Sequence, residues 1–266
     1  MHDYIQFPLV DMREAPSAGS KVVSQALFGE CVQVGAAVGD WRSILTPDGY
    51  TGWVKAEGIV MRPEPYPRDL ETSRLSAHLY PAADTEYGPL MTLPFGSPLQ
   101  LIDSSDPRWH KVHLPDGREA FIQKGDVVGE PFELISFSRK FLNLPYTWGG
   151  RSSFGFDCSG FIQIVYGRLG IPLPRDARQQ ILDPRAQPIR FEELVLGDLI
   201  FWGYSEAEIK HVGMFLEKGQ FIHTSVRENR PYLRVSQLVD FEWSGQRGVF
   251  YPFRTARRLL PRHSNR

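Results

Sequence analysis

The stretch RSSFGFDCSGFIQIVYGRLG, residues 151–170, holds one of only two cysteines in a chain of 266 residues. Glycines crowd the approach to Cys158, and after it Phe161, Ile162, Val165, Tyr166 and Leu169 recur at the spacing of a helix with one apolar stripe. Gly170 and Pro172 stop that helix, and Asp157 stands where an N-cap belongs, which places Cys158 in the first turn. The placement matters chemically. Unpaired N–H groups and the positive end of the helix dipole favour a thiolate, and the same N–H groups can hold an oxyanion. A cysteine serving only as a small buried hydrophobe belongs in the apolar stripe and has no use for flanking glycines.

A sulfur nucleophile needs a base, and the base needs an orienting partner. Of seven histidines, His2 and His263 are terminal, while His78, His110 and His113 lie in the first half of the chain. Only His211 and His223 accompany Cys158, in KHVGMFLEKGQFIHTS (210–225), two apolar runs separated by Glu217-Lys218-Gly219. A three-residue loop ending in a glycine of positive φ pairs Leu216 with Gln220 and Gly213 with His223. Both histidines then share one face as diagonal neighbours, roughly 7–8 Å apart at Cβ or less. A two-residue loop puts them on opposite faces. In the nucleophile reading His211 takes the thiol proton and His223 holds its ring; an ordinary sheet histidine competes for each. A zinc site of Cys158, His211 and His223 is chemically available, but a lone cysteine at a glycine-flanked helix start is a poor opening for one. No metal or other cofactor is expected.

With 30 Lys plus Arg against 31 Asp plus Glu, the net charge of -1 steers the chain toward neither nucleic acid nor an anionic membrane. No apolar run reaches membrane-spanning length. The opening MHDYIQFPLVDMREAP lacks the basic and apolar regions of a secretory signal, and two cysteines 127 residues apart make no disulfide framework. A cytoplasmic location is expected, with a periplasmic or wall-associated one following if a signal was removed. A monomer is favoured.

The first half repeats itself. WRSILTPDGYTGWVKAEGIV (41–60) aligns without a gap on WHKVHLPDGREAFIQKGDVV (109–128) at an offset of 68, and FGECVQV (28–34) resembles FGSPLQL (95–101) at an offset of 67. Each copy reads as short strands joined by Asp-Gly turns, a unit able to close into a small β-barrel. Trp41, Trp53 and Trp109 are expected in the cores, and Cys31, alternating with Val32 and Val34, in a strand as a structural residue. Between the copies, RPEPYPRDLET (62–72) suits a stiff connector.

GDWRSILTPDGYTGWV (39–54) resembles the tail of a bacterial SH3-like domain, and residues 105–128 a second, more diverged one. YTWGG (146–150), FDCSGF (156–161), GDLIFW (197–202), HVGMFL (211–216) and FIHTS (221–225), in that order, resemble the NlpC family of papain-like cysteine peptidases over roughly residues 130–254. With the repeats, nearly the whole chain is similar to γ-D-glutamyl–diaminopimelate endopeptidases of peptidoglycan stem peptides. The resemblance implies an α+β papain-like domain, a Cys-bearing helix on an antiparallel sheet with the His pair, preceded by two SH3-like β-barrels. The expected layout is a first barrel over 1–62, a linker over 63–72, a second barrel over 73–129 and a peptidase domain over 130–266 with a short basic tail.

The resemblance also implies roles. Cys158, His211 and His223 correspond to the catalytic set, and Tyr146 to an oxyanion contact, with Trp148, Asp157 and Ser159 in the substrate groove. Asp176 corresponds to an acidic residue that meets the free amine of the substrate's L-Ala, although Ala177 follows it where many relatives carry Ser. Tyr50 matches a barrel tyrosine of the same pocket; the second repeat has Arg118 there. Helix capping competes for Asp176, and an ordinary hairpin tyrosine for Tyr50. The implied activity is hydrolysis of the γ-D-Glu–diaminopimelate bond in stem peptides with a free N-terminal L-Ala. Two alternatives use the same residues: a peptide-binding protein with an inactive peptidase domain, and an amidase or acyl transferase on another substrate.

Overall fold

The computed structural model describes residues 1–129, 131–240 and 251–259, in two compact units. One comprises Met1–Pro131 together with Trp148–Phe154, and the other Phe132–Thr147 and the chain from Gly155 onward. The expected domain boundary at Glu130 lies outside the described residues.

In the first unit, β1 (His2–Ile5), β2 (Leu9–Arg13), β3 (Val22–Leu27), β4 (Cys31–Val38), β5 (Trp41–Leu45), β6 (Thr51–Lys55) and β7 (Ile59–Arg62) form an antiparallel sheet in the order β3-β2-β6-β5-β4-β1-β7. It closes over Ile5, Met12, Ala26, Val32, Ile44 and Val54. A second sheet, β8 (Leu70–Glu71), β9 (Ser76–Tyr80), β10 (Met91–Pro94), β11 (Pro98–Asp103), β12 (Trp109–His113) and β13 (Glu119–Gln123), runs β10-β9-β13-β12-β11-β8. The repeat is kept in register: Trp41 pairs Lys55 and Leu45 pairs Thr51, as Trp109 pairs Gln123 and His113 pairs Glu119. Both turns depend on a glycine of positive φ, Gly49 (78°) and Gly117 (85°).

Pleating corrects two expectations. In β6, Gly52 and Val54 face the core, so Trp53 between them points outward and is half-buried, unlike the buried Trp41 and Trp109. Cys31 is likewise exposed because its neighbour Val32 takes the inward position. The stiff connector is also shorter than 63–72, since Leu70–Glu71 already pair with β11. Tyr66 within it is buried: its N–H donates to the Tyr4 hydroxyl (2.9 Å) and its own hydroxyl donates to His113 O (2.7 Å). Phe28, from the first repeat, is buried in the core of the second.

Residues 148–154, including β14 (Arg151–Ser152), belong to this unit rather than to the expected 130–266 domain. Their polar groups explain it. The Trp148 indole donates to Val22 O (2.9 Å), with Lys21 Nζ 4.8 Å over its ring. Arg151 pairs with Glu30 (2.9 Å) and Asp48 (3.5 Å) and donates to Gln25 O (2.7 Å). Ser153 Oγ accepts from Phe95 N–H (2.9 Å) and donates to Leu75 O (2.5 Å).

In the second unit, α1 (Leu134–Arg139), β15 (Gly155–Phe156), α2 (Cys158–Arg168) and α3 (Ala177–Gln180) precede or join a six-stranded antiparallel sheet. Its strands are β16 (Gln187–Ile189), β17 (Leu199–Gly203), β18 (Ile209–Phe215), β19 (Gln220–Ser225), β20 (Tyr232–Gln237) and β21 (Phe253–Arg258), ordered β16-β21-β17-β18-β19-β20. Helix α2 packs on β18 and β19 and buries Phe161, Ile162, Val165 and Tyr166. The helix starts where the sequence places it, with Asp157 accepting the Gly160 N–H (2.8 Å), and Gly170 beyond its end has φ of 72°. The apolar residues of 132–144 form only the short α1; Phe141 packs on Phe156 and Phe161 instead of extending a helical stripe.

The stretch expected as a basic tail is not a tail over its described part. Arg254–Arg258 lie within β21, between β16 and β17, and Arg257 and Arg258 are buried. Arg258 holds Asp198 with two bonds (2.8 and 2.6 Å) and donates to Glu193 O (2.7 Å), so sheet pairing and a buried ion pair recruit the basic residues inward. Removing one member of a buried pair strands the other. Replacing Arg258 by Leu is therefore expected to cost about 3–5 kcal/mol, while Arg258→Leu with Asp198→Leu costs less than Arg258→Leu alone, measured by denaturant unfolding.

Candidate active site

The site is built on the β18–β19 hairpin and the start of α2. Leu216 N–H bonds Gln220 O (2.9 Å), Phe215 pairs Phe221 and Met214 pairs Ile222, with Lys218 and Gly219 at positive φ (51° and 74°). This is the three-residue loop expected from Glu217-Lys218-Gly219. The register carries Gly213 opposite His223, and the two imidazoles meet: His211 Nε2 lies 2.9 Å from His223 Nδ1. Trp202, paired with His211, and Phe221, two residues before His223, pack on these rings at 5.4 and 4.6 Å between centroids. Both histidines are buried, at 6% and 0% exposure.

A third group continues the array. His223 Nε2 lies 2.9 Å from Ser236 Oγ on β20. When His211 carries two protons its Nε2–H must donate to His223 Nδ1, so His223 donates from Nε2 to the serine oxygen. In that arrangement the neutral His211 keeps its proton on Nε2, and Nδ1 is its basic nitrogen. No motif singled out Ser236. Only the β19–β20 register brings it there, across a connection (226–231) too irregular for a hairpin rule.

Cys158 opens α2, half-buried, and the backbone N–H groups of Ser159 and of Val212, the residue after His211, act on it in favour of the thiolate. Burial pushes the thiol up to about 12, and the Asp157 carboxylate adds to this against the two N–H groups and Arg175. Burial likewise pulls His211 down to about 3, with Arg234 and Arg227 opposing a proton there, and holds His223 well below its ordinary range. Burial thus opposes a charge on the sulfur and on each imidazole taken singly, against the helix start, which favours a thiolate.

Tyr146 is half-buried in a loop whose N–H bonds Pro231 O (2.8 Å). Burial first, then Cys158 and Asp157, hold its phenol above the ordinary range, so it stays a hydrogen-bond donor beside the sulfur. Asp157 and Ser159 do not open onto a groove. Asp157 is 8% exposed and salt-bridged to the buried Arg175 (2.5 Å), and Ser159 Oγ accepts from the same guanidinium (3.0 Å). Arg175 is a second residue that sequence reading passed over, hidden one place before Asp176. Asp176 precedes α3, where its N–H donates to Gln179 Oε1 (3.0 Å) and its carboxylate pairs with Arg178 (3.0 Å). Tyr50 and Trp148 lie in the other unit; Tyr50 is partly buried against the first barrel's core and Trp148 is exposed.

The NlpC/P60 family model matches residues 143–244, and that of the bacterial dipeptidyl-peptidase Sh3 domain matches residues 12–59. The chain is 32% identical over 241 residues to a gamma-D-glutamyl-L-lysine dipeptidyl-peptidase of Bacillus subtilis, covering 84% of this chain and 79% of that one. A protein of the same name from Bacillus cereus is 31% identical over 266 residues, covering 91% and 76%. A crystal structure of an NlpC/P60 family protein from Bacillus cereus superposes with a TM-score of 0.80 at 25% identity, over 98% of this chain and all of the other. This chain belongs to the NlpC/P60 family. It is a peptidoglycan-related cysteine peptidase with a papain-like domain after an SH3-like one.

A β-carbon on Gly213 would stand 2.9 Å from the Phe221 ring and 3.2 Å from His223 Cβ. Gly213→Ala is expected to lower kcat at least tenfold by displacing His223 and to cost about 1–3 kcal/mol, read from kinetics and unfolding. Acid stability supplies a second check. Both imidazoles are neutral when folded, whereas the unfolded chain protonates them below about 6.5, so the unfolded state binds more protons there. Stability should be fully present above pH 6.5 and fall as the pH drops toward 3. His223→Gln should flatten that slope by up to one proton, about 1.4 kcal/mol per pH unit, measured by unfolding across pH.

Proposed function

We propose that the protein removes an N-terminal L-Ala–γ-D-Glu dipeptide by hydrolysing the γ-D-glutamyl amide to the next diamino acid, L-lysine or diaminopimelate. The observation that carries this reading is the aligned array His211 Nε2, His223 Nδ1 and Nε2, Ser236 Oγ beside a cysteine at a helix start. His211 Nδ1 takes the Cys158 proton as sulfur attacks the γ-carbonyl, because neither charge is favourable alone in a buried site but the two form together. The first-turn N–H groups of α2 and the Tyr146 hydroxyl hold the developing oxyanion. His211 then protonates the leaving amine, and afterwards activates water against the thioester. The relatives' name supports the dipeptide specificity, since a dipeptidyl-peptidase counts from a free N-terminus.

Asp176 is the residue we assign to that free amine. Asp176 already pairs with the largely exposed Arg178, so the ammonium group of the substrate would share or displace a surface ion pair of small worth. The test compares L-Ala-γ-D-Glu-L-Lys and its diaminopimelate analogue with their N-acetylated forms. Both free peptides should be cut at one γ-amide, and acetylation should lower kcat/KM by on the order of 10² or more. Equal rates on free and blocked peptides would remove the amine assignment. Failure of pure, reduced enzyme to cut any of the four, or activity surviving Cys158→Ala, would defeat the reading.

A further inference from the structure

Arg175 lies between Pro174 and Asp176, on the approach to α3, yet it is 1% exposed. A buried arginine on a connecting segment needs a reason. Its two nitrogens grip both oxygens of Asp157, Nη2 to Oδ2 at 2.5 Å and Nη1 to Oδ1 at 3.0 Å, and Nη1 also reaches Ser159 Oγ at 3.0 Å. The same Oδ1 accepts the Gly160 N–H at 2.8 Å and the Ser159 hydroxyl at 3.2 Å. Gln180 ties this approach down, donating to Ser159 O (3.1 Å) and Pro174 O (2.9 Å). One guanidinium therefore grips the residues on either side of Cys158.

The chemistry of the cap explains why an arginine is needed. An aspartate is a strong N-cap, but it sets a full negative charge one residue from the sulfur that must become an anion. Left alone, that charge opposes thiolate formation, and a buried unpaired carboxylate is itself costly. The fork of Arg175 matches the carboxylate bidentately and opposes its field while leaving the cap bond to Gly160 intact.

We propose that Arg175 is a positioning residue for the nucleophile: it pairs with and locks Asp157, so that the start of α2 presents Cys158 against a reduced opposing charge. The role is distinct from substrate binding, because the guanidinium is sealed from solvent. The other groups acting on the thiol are Tyr146 from its loop, His211 on β18 and, through it, His223 on β19 and Arg234 on β20. Of these, Tyr146 also feels Asp157 and Arg175, which act on it in opposite senses, whereas neither residue is among the groups acting on the histidines.

The proposal rests on reading Cys158 as the nucleophile. Its test is alkylation of Cys158 by iodoacetamide in the full-length protein, followed across pH by mass spectrometry, which needs no peptide substrate. Arg175→Gln should slow alkylation at pH 7 about tenfold. Asp157→Asn should speed alkylation, because the arginine is then uncompensated. The double variant Asp157→Asn/Arg175→Gln, a neutral pair of similar shape, should return within about threefold of the wild type. A wild-type rate in folded Arg175→Gln overturns the proposal, as does a double variant slower than that single one. If Arg175→Gln does not fold, the other two decide: Asp157→Asn no faster than wild type overturns it. Cleavage of no γ-D-glutamyl peptide would leave these outcomes unchanged, so a failure of the assigned substrate is distinguishable from a failure of the clamp.

Discussion

The parity of one hairpin loop governs the site. Three residues, Glu217-Lys218-Gly219, lie between the hydrogen-bonded Leu216 and Gln220, and with that number the twelve-residue separation of His211 and His223 brings both imidazoles to one face, 2.9 Å apart. One residue fewer or more would turn the second ring to the other side of the sheet, because side chains alternate with a period of two. Lys218 and Gly219 at positive φ are what make the loop close at this length. Gly213 has no side chain at the point where the two strands and the second ring crowd together, and the pair depends on that as well.

Around that pair, burial and charge act against each other. Desolvation opposes a charge on the sulfur and on the imidazoles, while the helix start favours one on the sulfur. The array from His211 to Ser236 then matters for which nitrogen carries the proton, since the far end of the array sets the near end's tautomer. Asp157 and Arg175 make a second local balance, a carboxylate that caps the helix and a cation that opposes its field.

The first unit was legible in outline. A gapless offset of 68 between the two tryptophan–Pro-Asp-Gly segments translates into two hairpins of identical register. Less legible was what the short connections do. Tyr66, in a stretch read as a stiff linker, is buried with both its N–H and its hydroxyl engaged, and Arg151 in the glycine-rich approach to Cys158 is engaged by Glu30, Asp48 and Gln25. Composition marks such residues as solvated, and only their partners, more than a hundred residues away in the case of Arg151, say otherwise. The same holds for Arg258, which a run of basic residues near the end of the chain disguises as surface.

What the sequence determined by itself is whatever depends on near neighbours: the start and cap of α2, the loop length at 217–219, the Asp-Gly turns and the repeat. Periodicity and turn chemistry act over a few residues, and so can be read from a few residues. The tertiary structure alone decided which groups meet across strands and connections that obey no length rule, namely Ser236 with His223, Arg175 with Asp157 and Arg258 with Asp198. It also decided what surrounds the cysteine. The helix start argues for a thiolate in any sequence, whereas the loss of water that opposes it is a property of the packed whole.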